Sequence, residues 1–202
     1  MIDRHVIVWL RPGLAATARV LARTGARADQ VTLVGFATGV AGSIAIASGH
    51  YLWGLAALVA SRLCDGLDGA LARLGTPTDR GGFLDITLDF VFYASVPLAF
   101  AIADPDANAL AAAVLLASFV GTTSSFLAFA TLAAQRGLKS EAYPTKGIYY
   151  LGGLAEATET LTCFALMCLW PAHFALFAYA FTVLCVVTTL TRILAGWRAF
   201  SN

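Results

Sequence analysis

Charge is scarce in this chain. Of its 202 residues 12% are Asp, Glu, Lys or Arg against 59% hydrophobic, and the mean hydropathy is +0.76. A soluble domain of this length carries about twice that charge, so the composition excludes one and indicates an integral membrane protein. Cysteine and histidine are also too sparse and scattered for thiol or zinc chemistry. The four cysteines, Cys64, Cys163, Cys168 and Cys185, lack a C-x-x-C spacing and fall in apolar stretches, as small packing residues do. His5, His50 and His173 lie far apart in the chain and suggest no zinc site. A cleavable secretory leader is not expected either, because Arg11, Arg19 and Arg23 interrupt any apolar run near the start and no small-residue cleavage pattern follows.

What is present is length of apolar run. A bilayer core of roughly 30 Å needs about 20 apolar residues per helix, and six stretches qualify: Val31 to Ala47, Tyr51 to Ala72, Gly81 to Ala103, Asn108 to Ala133, Ile148 to Trp170 and Ala172 to Ala195. The breaks between them are short, so the expected fold class is all-α, an integral membrane bundle of six transmembrane helices. Residues 1–30 form a cytoplasmic juxtamembrane segment, 31–195 the six-helix domain and 196–202 a cytoplasmic tail. In the first segment "LAATARVLART" reads as an amphipathic helix with Arg19 and Arg23 near anionic headgroups and Leu14, Val20 and Leu21 in the acyl boundary. An ordered cytoplasmic cap is the competing reading.

Lysine and arginine are missing from alternate loops. "SGH", "DPDA" and "WPAH" contain none, whereas Arg73 and Arg80, Arg136, Lys139 and Lys146, and the two chain ends carry them all. Short loops rich in these residues stay cytoplasmic, which places both termini there. The formal net charge of +1 conceals this asymmetry and points to no nucleic-acid partner.

Against that scarcity, "SRLCDGLDGALARLGTPTDRGGFLDITLDF", residues 61–90, holds Asp65, Asp68, Asp85 and Asp89 inside two adjacent spans. A charge at membrane depth costs several kcal/mol and marks function by default. Residues three and four apart share a helix face, so each aspartate pair points one way, and the short loop makes the two helices antiparallel neighbours with the pairs facing each other. Four ionised carboxylates this close require cations. All-oxygen ligation suits a hard divalent ion, and Mg²⁺ takes a few carboxylates together with substrate phosphates. Gly66, Gly69, Gly81 and Gly82 would let a bulky ligand approach the backbone. Gly35 and Gly39, a G-x-x-x-G, read more simply as helix packing. Arg62, one turn before Asp65, has two uses open to it, a donor pyrophosphate or a neighbouring carboxylate.

The motif Asp65, Asp68-Gly69, Ala72-Arg73, Gly81, Asp85, Asp89, in this spacing, resembles the signature of the CDP-alcohol phosphotransferase (class I phosphatidyltransferase) family. The resemblance implies transfer of a substituted phosphate from a CDP-linked donor, for chains of this kind CDP-diacylglycerol, to an alcohol, with CMP leaving. It implies Asp65, Asp68 and Asp85 as ligands of one or two ions, Mg²⁺ or Mn²⁺, with Asp89 completing the second metal site and acting as catalytic base. Asp65, Gly69, Ala72, Arg73 and Gly81 would receive the nucleotide. Two departures stand out. Seven residues rather than eight separate Arg73 from Gly81, and Ala28-Asp29 replaces a Pro-Asn pair, leaving Asp29 and Thr32 as substitutes at that end of the cavity. The resemblance further implies a homodimer in a bacterial inner membrane, with "GVAGS" or the faces of spans 3 and 4 as candidate interfaces.

The acceptor is not read from the motif. Candidates for binding it are Glu156 and Glu159 in "GGLAEATETLT", expected about as deep in span 5 as Asp89 is in span 3, together with Lys139, Lys146 and Arg192. Glycerol 3-phosphate, inositol or its phosphate, and phosphatidylglycerol are among the candidate alcohols. The alternative for the Glu pair is hydrogen bonding to Ser124, Ser125, Thr158 and Thr188 across helices. The competing functions are a non-catalytic lipid- or nucleotide-binding relative and a cation transporter.

Overall fold

The computed structural model describes residues 3–137 and 153–201. Lys139, Lys146 and the first five residues of the fifth expected span lie outside the described residues. The elements are α1 (Asp3–Arg23), α2 (Ala28–Ala47), α3 (Tyr51–Leu74), α4 (Asp79–Ala103), α5 (Pro105–Gln135), α6 (Ala157–Leu169), a 3-10 turn (Pro171–His173) and α7 (Phe174–Ala199), with no strand among the described residues.

Local chemistry accounts for the breaks. Gly25, Gly49 and Gly137 adopt φ of 79°, 78° and 66°, the left-handed conformation that only glycine enters cheaply, directly after α1, α2 and α5. Thr78 caps α4, its Oγ1 accepting the Gly81 N–H at 3.1 Å. Asp104 caps α5, accepting the Ala107 N–H at 3.1 Å, and Pro105 occupies the first helical position, where no N–H is required. The expected starts and stops of the first four spans therefore recur within a few residues. Helix α2 begins three residues before the expected boundary at Val31, and α7 runs beyond Ala195 to Ala199.

Among the described residues, four helical segments are long and apolar enough to cross a membrane: Ala28–Ala47, Asp79–Ala103, Pro105–Gln135 and Pro171–Ala199. The other two expected spans differ for separate reasons. Helix α3 has the length, 24 residues, but carries Arg62, Asp65, Asp68 and Arg73. Helix α6 has 13 residues, which at about 1.5 Å each reach only about 20 Å.

Small residues bring α2 against its neighbours. A β-carbon on Gly35 would lie 2.8 Å from the Cys64 β-carbon, and one on Gly42 would lie 3.0 Å from that of Ala57. A β-carbon on Gly39 would lie 2.5 Å from the ring of Phe92, which is fully buried. The G-x-x-x-G thus serves packing inside this chain. Gly39, Gly42 and Ser43 of "GVAGS" are all buried here, and Ser43 hydrogen-bonds Ser95 of α4 at 2.7 Å. This corrects the expectation of that stretch as an interface between copies. At the end of the bundle away from the aspartates, Tyr51, Phe100 and Phe174 stack with centroids 5.6 and 4.6 Å apart.

Helix α1 docks on α3. Leu14 faces Gly66, whose β-carbon would lie 3.0 Å from Leu14 Cδ1, and Ala18 is buried with Ala70 and Leu71. Leu14, half-buried, accordingly packs on α3, while Val20, Arg19 and Arg23 remain exposed. Gly66 admits Leu14 rather than a ligand, a second correction.

Candidate metal and nucleotide site

Helices α3 and α4 are not close neighbours along their length. Helix α2 packs against both, and α3 and α4 make few backbone approaches to each other. The glycine face of α2 lets it insert between them, so the two aspartate-bearing helices splay and meet through side chains around a small cavity. Thr32 and Phe36 reach it from α2, Ser61, Arg62, Asp65 and Asp68 from α3, and Asp85 and Asp89 from α4.

Asp65, Asp68 and Asp85 each offer one carboxylate oxygen, and these three lie within 4.8 Å of one another. Asp68 is 5% exposed, and its Oδ2 has no hydrogen-bond partner among the described residues. A buried carboxylate oxygen left in this state is costly, and a hard cation seated among three carboxylates removes the cost. The donor set therefore fits a divalent metal ion.

Asp89 stands apart from that group. Its Oδ1 accepts a hydrogen bond from Arg62 Nη1 at 2.6 Å, and the same nitrogen is 3.6 Å from Asp65 Oδ1. The Arg62 guanidinium lies over the Phe92 ring, 4.0 Å from its centroid, and 5.5 Å from that of Tyr93. Of the two uses open to Arg62, pairing with carboxylates is the one seen.

Beyond this cavity the motif continues to the ends of α3 and α4. Ala72 and Arg73 lie about one turn past Asp68, and the Arg73 guanidinium covers Gly69, 3.4 Å from where a β-carbon would be. Gly81 is equally tight, its absent β-carbon lying 3.1 Å from Asp29 Oδ1 and 3.2 Å from Thr78 Oγ1. Asp29 pairs with Arg80 through Oδ2, Arg80 Nε donating at 3.0 Å. Asp29 thus ties the start of α2 to the start of α4. Gly69, Ala72, Arg73 and Gly81 do not line the carboxylate cavity, whereas Thr32 does.

Of the acceptor candidates, Glu156, Glu159 and Arg192 are among the described residues, and none of these three lines the carboxylate cavity. Glu156 is buried but precedes α6, in extended conformation at its N-cap, and Glu159 is in the first turn. This corrects the expectation of both deep within a helix, since residues 153–156 are not helical. Glu156 Oε1 accepts the Gly153 N–H at 3.1 Å, and Thr188 Oγ1 accepts those of Leu154 and Ala155 at 3.1 and 2.9 Å. Arg192, 7% exposed, donates from Nη1 to the Thr122 carbonyl at 3.0 Å.

Phe36 and Ser61 line the carboxylate cavity and were not anticipated. Phe36 follows Thr32 by one helical turn and Ser61 precedes Asp65 by one, so helical spacing from residues already singled out is the signal that would have found them.

Residues 26–194 match the model of the CDP-alcohol phosphatidyltransferase family, and the chain belongs to that family. It is 52% identical over 202 residues, covering 100% of this chain and 98% of the relative, to inner membrane protein YnjF of Escherichia coli. It is 52% identical over 63 residues, 31% of this chain and 32% of the relative, to archaetidylinositol phosphate synthase of Methanothermobacter thermautotrophicus. Among solved structures, phosphatidylinositol phosphate synthase of Mycobacterium tuberculosis in complex with manganese and citrate superposes with a TM-score of 0.70 at 25% identity, covering 91% of this chain and 88% of that one. A second structure of that synthase, with CDP-DAG bound, shares the fold with a TM-score of 0.70 at 24% identity over 91% of this chain and 93% of that one.

Proposed function

We propose that this protein is a divalent-metal-dependent phosphatidyltransferase of the bacterial inner membrane, moving a phosphatidyl group from CDP-diacylglycerol to an alcohol with release of CMP. The observation that carries this reading is the convergence of Asp65, Asp68 and Asp85, their oxygens within 4.8 Å of one another, on the family's motif. The CDP-DAG and the manganese named for the structural relatives support the donor and the metal. The membrane assignment is supported by the apolar helices and by the name of the full-length relative.

Asp65, Asp68 and Asp85 would hold Mg²⁺ or Mn²⁺, with Asp89 toward a second ion, and a bound dication supplies neutralisation of the charge that grows on the pyrophosphate. The remaining work falls to the chain. Gly69, Ala72, Arg73 and Gly81 admit the cytidine and its phosphates, and Thr32 closes the α2 side. The acceptor oxygen attacks the phosphorus that carries the diacylglycerol ester, the bond from that phosphorus to the bridging oxygen breaks, and CMP leaves with that oxygen. The acceptor's hydroxyl proton passes to an Asp89 carboxylate oxygen, which acts as base.

The acceptor site is formed by Glu156, Glu159, Arg192, Lys139 and Lys146, the carboxylates binding hydroxyls and the cations a phosphate. Inositol phosphate is the first acceptor to test, since relatives named archaetidylinositol phosphate synthase and phosphatidylinositol phosphate synthase carry it in their names. The bundle crosses the membrane six times with termini and site on the cytoplasmic side, following the Lys and Arg bias, and it forms a homodimer through a face other than Gly39–Ser43.

The test is CMP release by the purified protein in detergent, with CDP-diacylglycerol, Mn²⁺ or Mg²⁺ and single acceptors: inositol phosphate, inositol, glycerol 3-phosphate and phosphatidylglycerol. Release with one acceptor, lost in Asp89→Asn, is the expected result. No release with any of them overturns the assignment to this donor and these acceptors.

A further inference from the structure

We infer that Arg62 is a positioning residue that holds Asp89 at the edge of the three-carboxylate cluster and aims it at the acceptor; as to Asp89 being the base, this rests on the function proposed above. Three observations carry it. Arg62 Nη1 is 2.6 Å from Asp89 Oδ1 and 3.6 Å from Asp65 Oδ1, so one cation bridges α3 and α4 at the edge of the cluster. The three remaining aspartates converge without Asp89. The guanidinium is itself held in place, since its Cζ lies over the Phe92 ring at 4.0 Å from the centroid, and Phe92 is fully buried against Gly39.

The consequences are opposite in sign for metal and for turnover. A guanidinium beside Asp65 and Asp89 opposes a dication entering the cluster, because like charges repel across a partly desolvated gap. Removing it tightens metal binding. The same removal frees the Asp89 side chain to rotate, and a carboxylate that must meet a hydroxyl within hydrogen-bond reach loses rate when its aim is lost. The arginine fork also matters: lysine restores the charge but neither the planar contact with Phe92 nor the directed hydrogen bond.

The experiment compares the wild-type chain, Arg62→Gln, Arg62→Lys, Asp89→Asn and the Arg62→Gln/Asp89→Asn double variant in detergent. It reads Mn²⁺ affinity by the electron paramagnetic resonance of free Mn²⁺, CMP release, and Tm. Arg62→Gln should bind Mn²⁺ several-fold tighter and turn over about 10- to 100-fold slower, the range for residues that orient a metal site from outside it. Arg62→Lys should return Mn²⁺ affinity to the wild-type value and only part of the rate. The double variant should be no slower than Asp89→Asn, as expected for two residues acting as one unit. Weaker or unchanged Mn²⁺ binding in Arg62→Gln overturns the inference, as does wild-type turnover in that variant or full recovery of rate by lysine. If Arg62→Gln does not fold, the lysine variant alone decides: it supports the inference by binding Mn²⁺ as the wild type does at reduced rate, and overturns it by full rate. Absence of CMP release from the wild-type chain counts against the proposed function, and the Mn²⁺ comparison then decides the placement of Arg62 by itself.

Discussion

Gly39 of α2 and Phe92 of α4 are in contact so close that a β-carbon on the glycine would come within 2.5 Å of the ring. The contact seats the ring that supports the Arg62 guanidinium, and so links helix packing to the carboxylate cavity. Overpacking of this kind costs about 1–3 kcal/mol. Gly39→Val is expected to lower Tm in detergent and reduce CMP release together, whereas a change at exposed Ala41 on the same helix should alter neither. A thermal unfolding series on both variants checks this.

Asp68 is the most buried of the four aspartates, and its Oδ2 has no hydrogen-bond partner among the described residues. Asp68→Asn should weaken Mn²⁺ binding by more than about 100-fold, beyond the range for residues outside the ligand set, while leaving the fold in place because it removes a repulsive charge. Dialysis of the wild-type chain against a chelator should abolish CMP release, and Mn²⁺ should restore it. Calorimetric titration of Mn²⁺ into both proteins is the direct measurement.

Leu14 packs on Gly66, and α1 depends on that approach for its seat on α3. Gly66→Val should loosen α1, seen as faster tryptic cleavage at exposed Arg19 and Arg23. Cleavage at the wild-type rate would mean that Ala18 with Ala70 and Leu71 holds α1 unaided.

The Asp29–Arg80 pair lies at the surface, with the Arg80 side chain 73% exposed. Exposed pairs contribute about 0.2–1 kcal/mol, so Arg80→Ala should shift Tm by only a few degrees. A large loss of CMP release with unchanged Tm would instead assign Arg80 to the donor.

Arg192 is buried and bonded to the Thr122 carbonyl. Under the proposed acceptor site, Arg192→Lys should raise KM for a phosphorylated acceptor about tenfold, the loss of roughly one charge-assisted hydrogen bond, and leave KM for CDP-diacylglycerol unchanged. Steady-state kinetics with each substrate varied in turn separates this from a stability effect, which would lower both rates alike.

The sequence by itself determined the α-helical class, the run of helices from α2 to α5 and the convergence of aspartates on one cavity. Each is a local matter: apolar run length, glycine and capping residues at the breaks, and carboxylates three or four apart on one helix face. Asp65, Asp68 and Asp85 were legible for that reason. The tertiary structure decided what depends on which helix lies beside which. Helix α2 wedges between α3 and α4, which no hydropathy count of their short connection conveys. Gly66 and Gly39 face Leu14 and Phe92, although spacing alone could equally have opened them to a ligand or a second copy. Glu156 falls outside its helix, in a stretch where the Gly153 N–H is bonded by Glu156 and the Leu154 and Ala155 N–H groups by Thr188 of α7. Arg62 takes Asp89, 27 positions away, because only the packed bundle brings a guanidinium from one helix onto a ring and a carboxylate of another. Helix formation is set by neighbours in the chain, whereas the pairing of side chains between helices is set by distances that exist only after the bundle has packed.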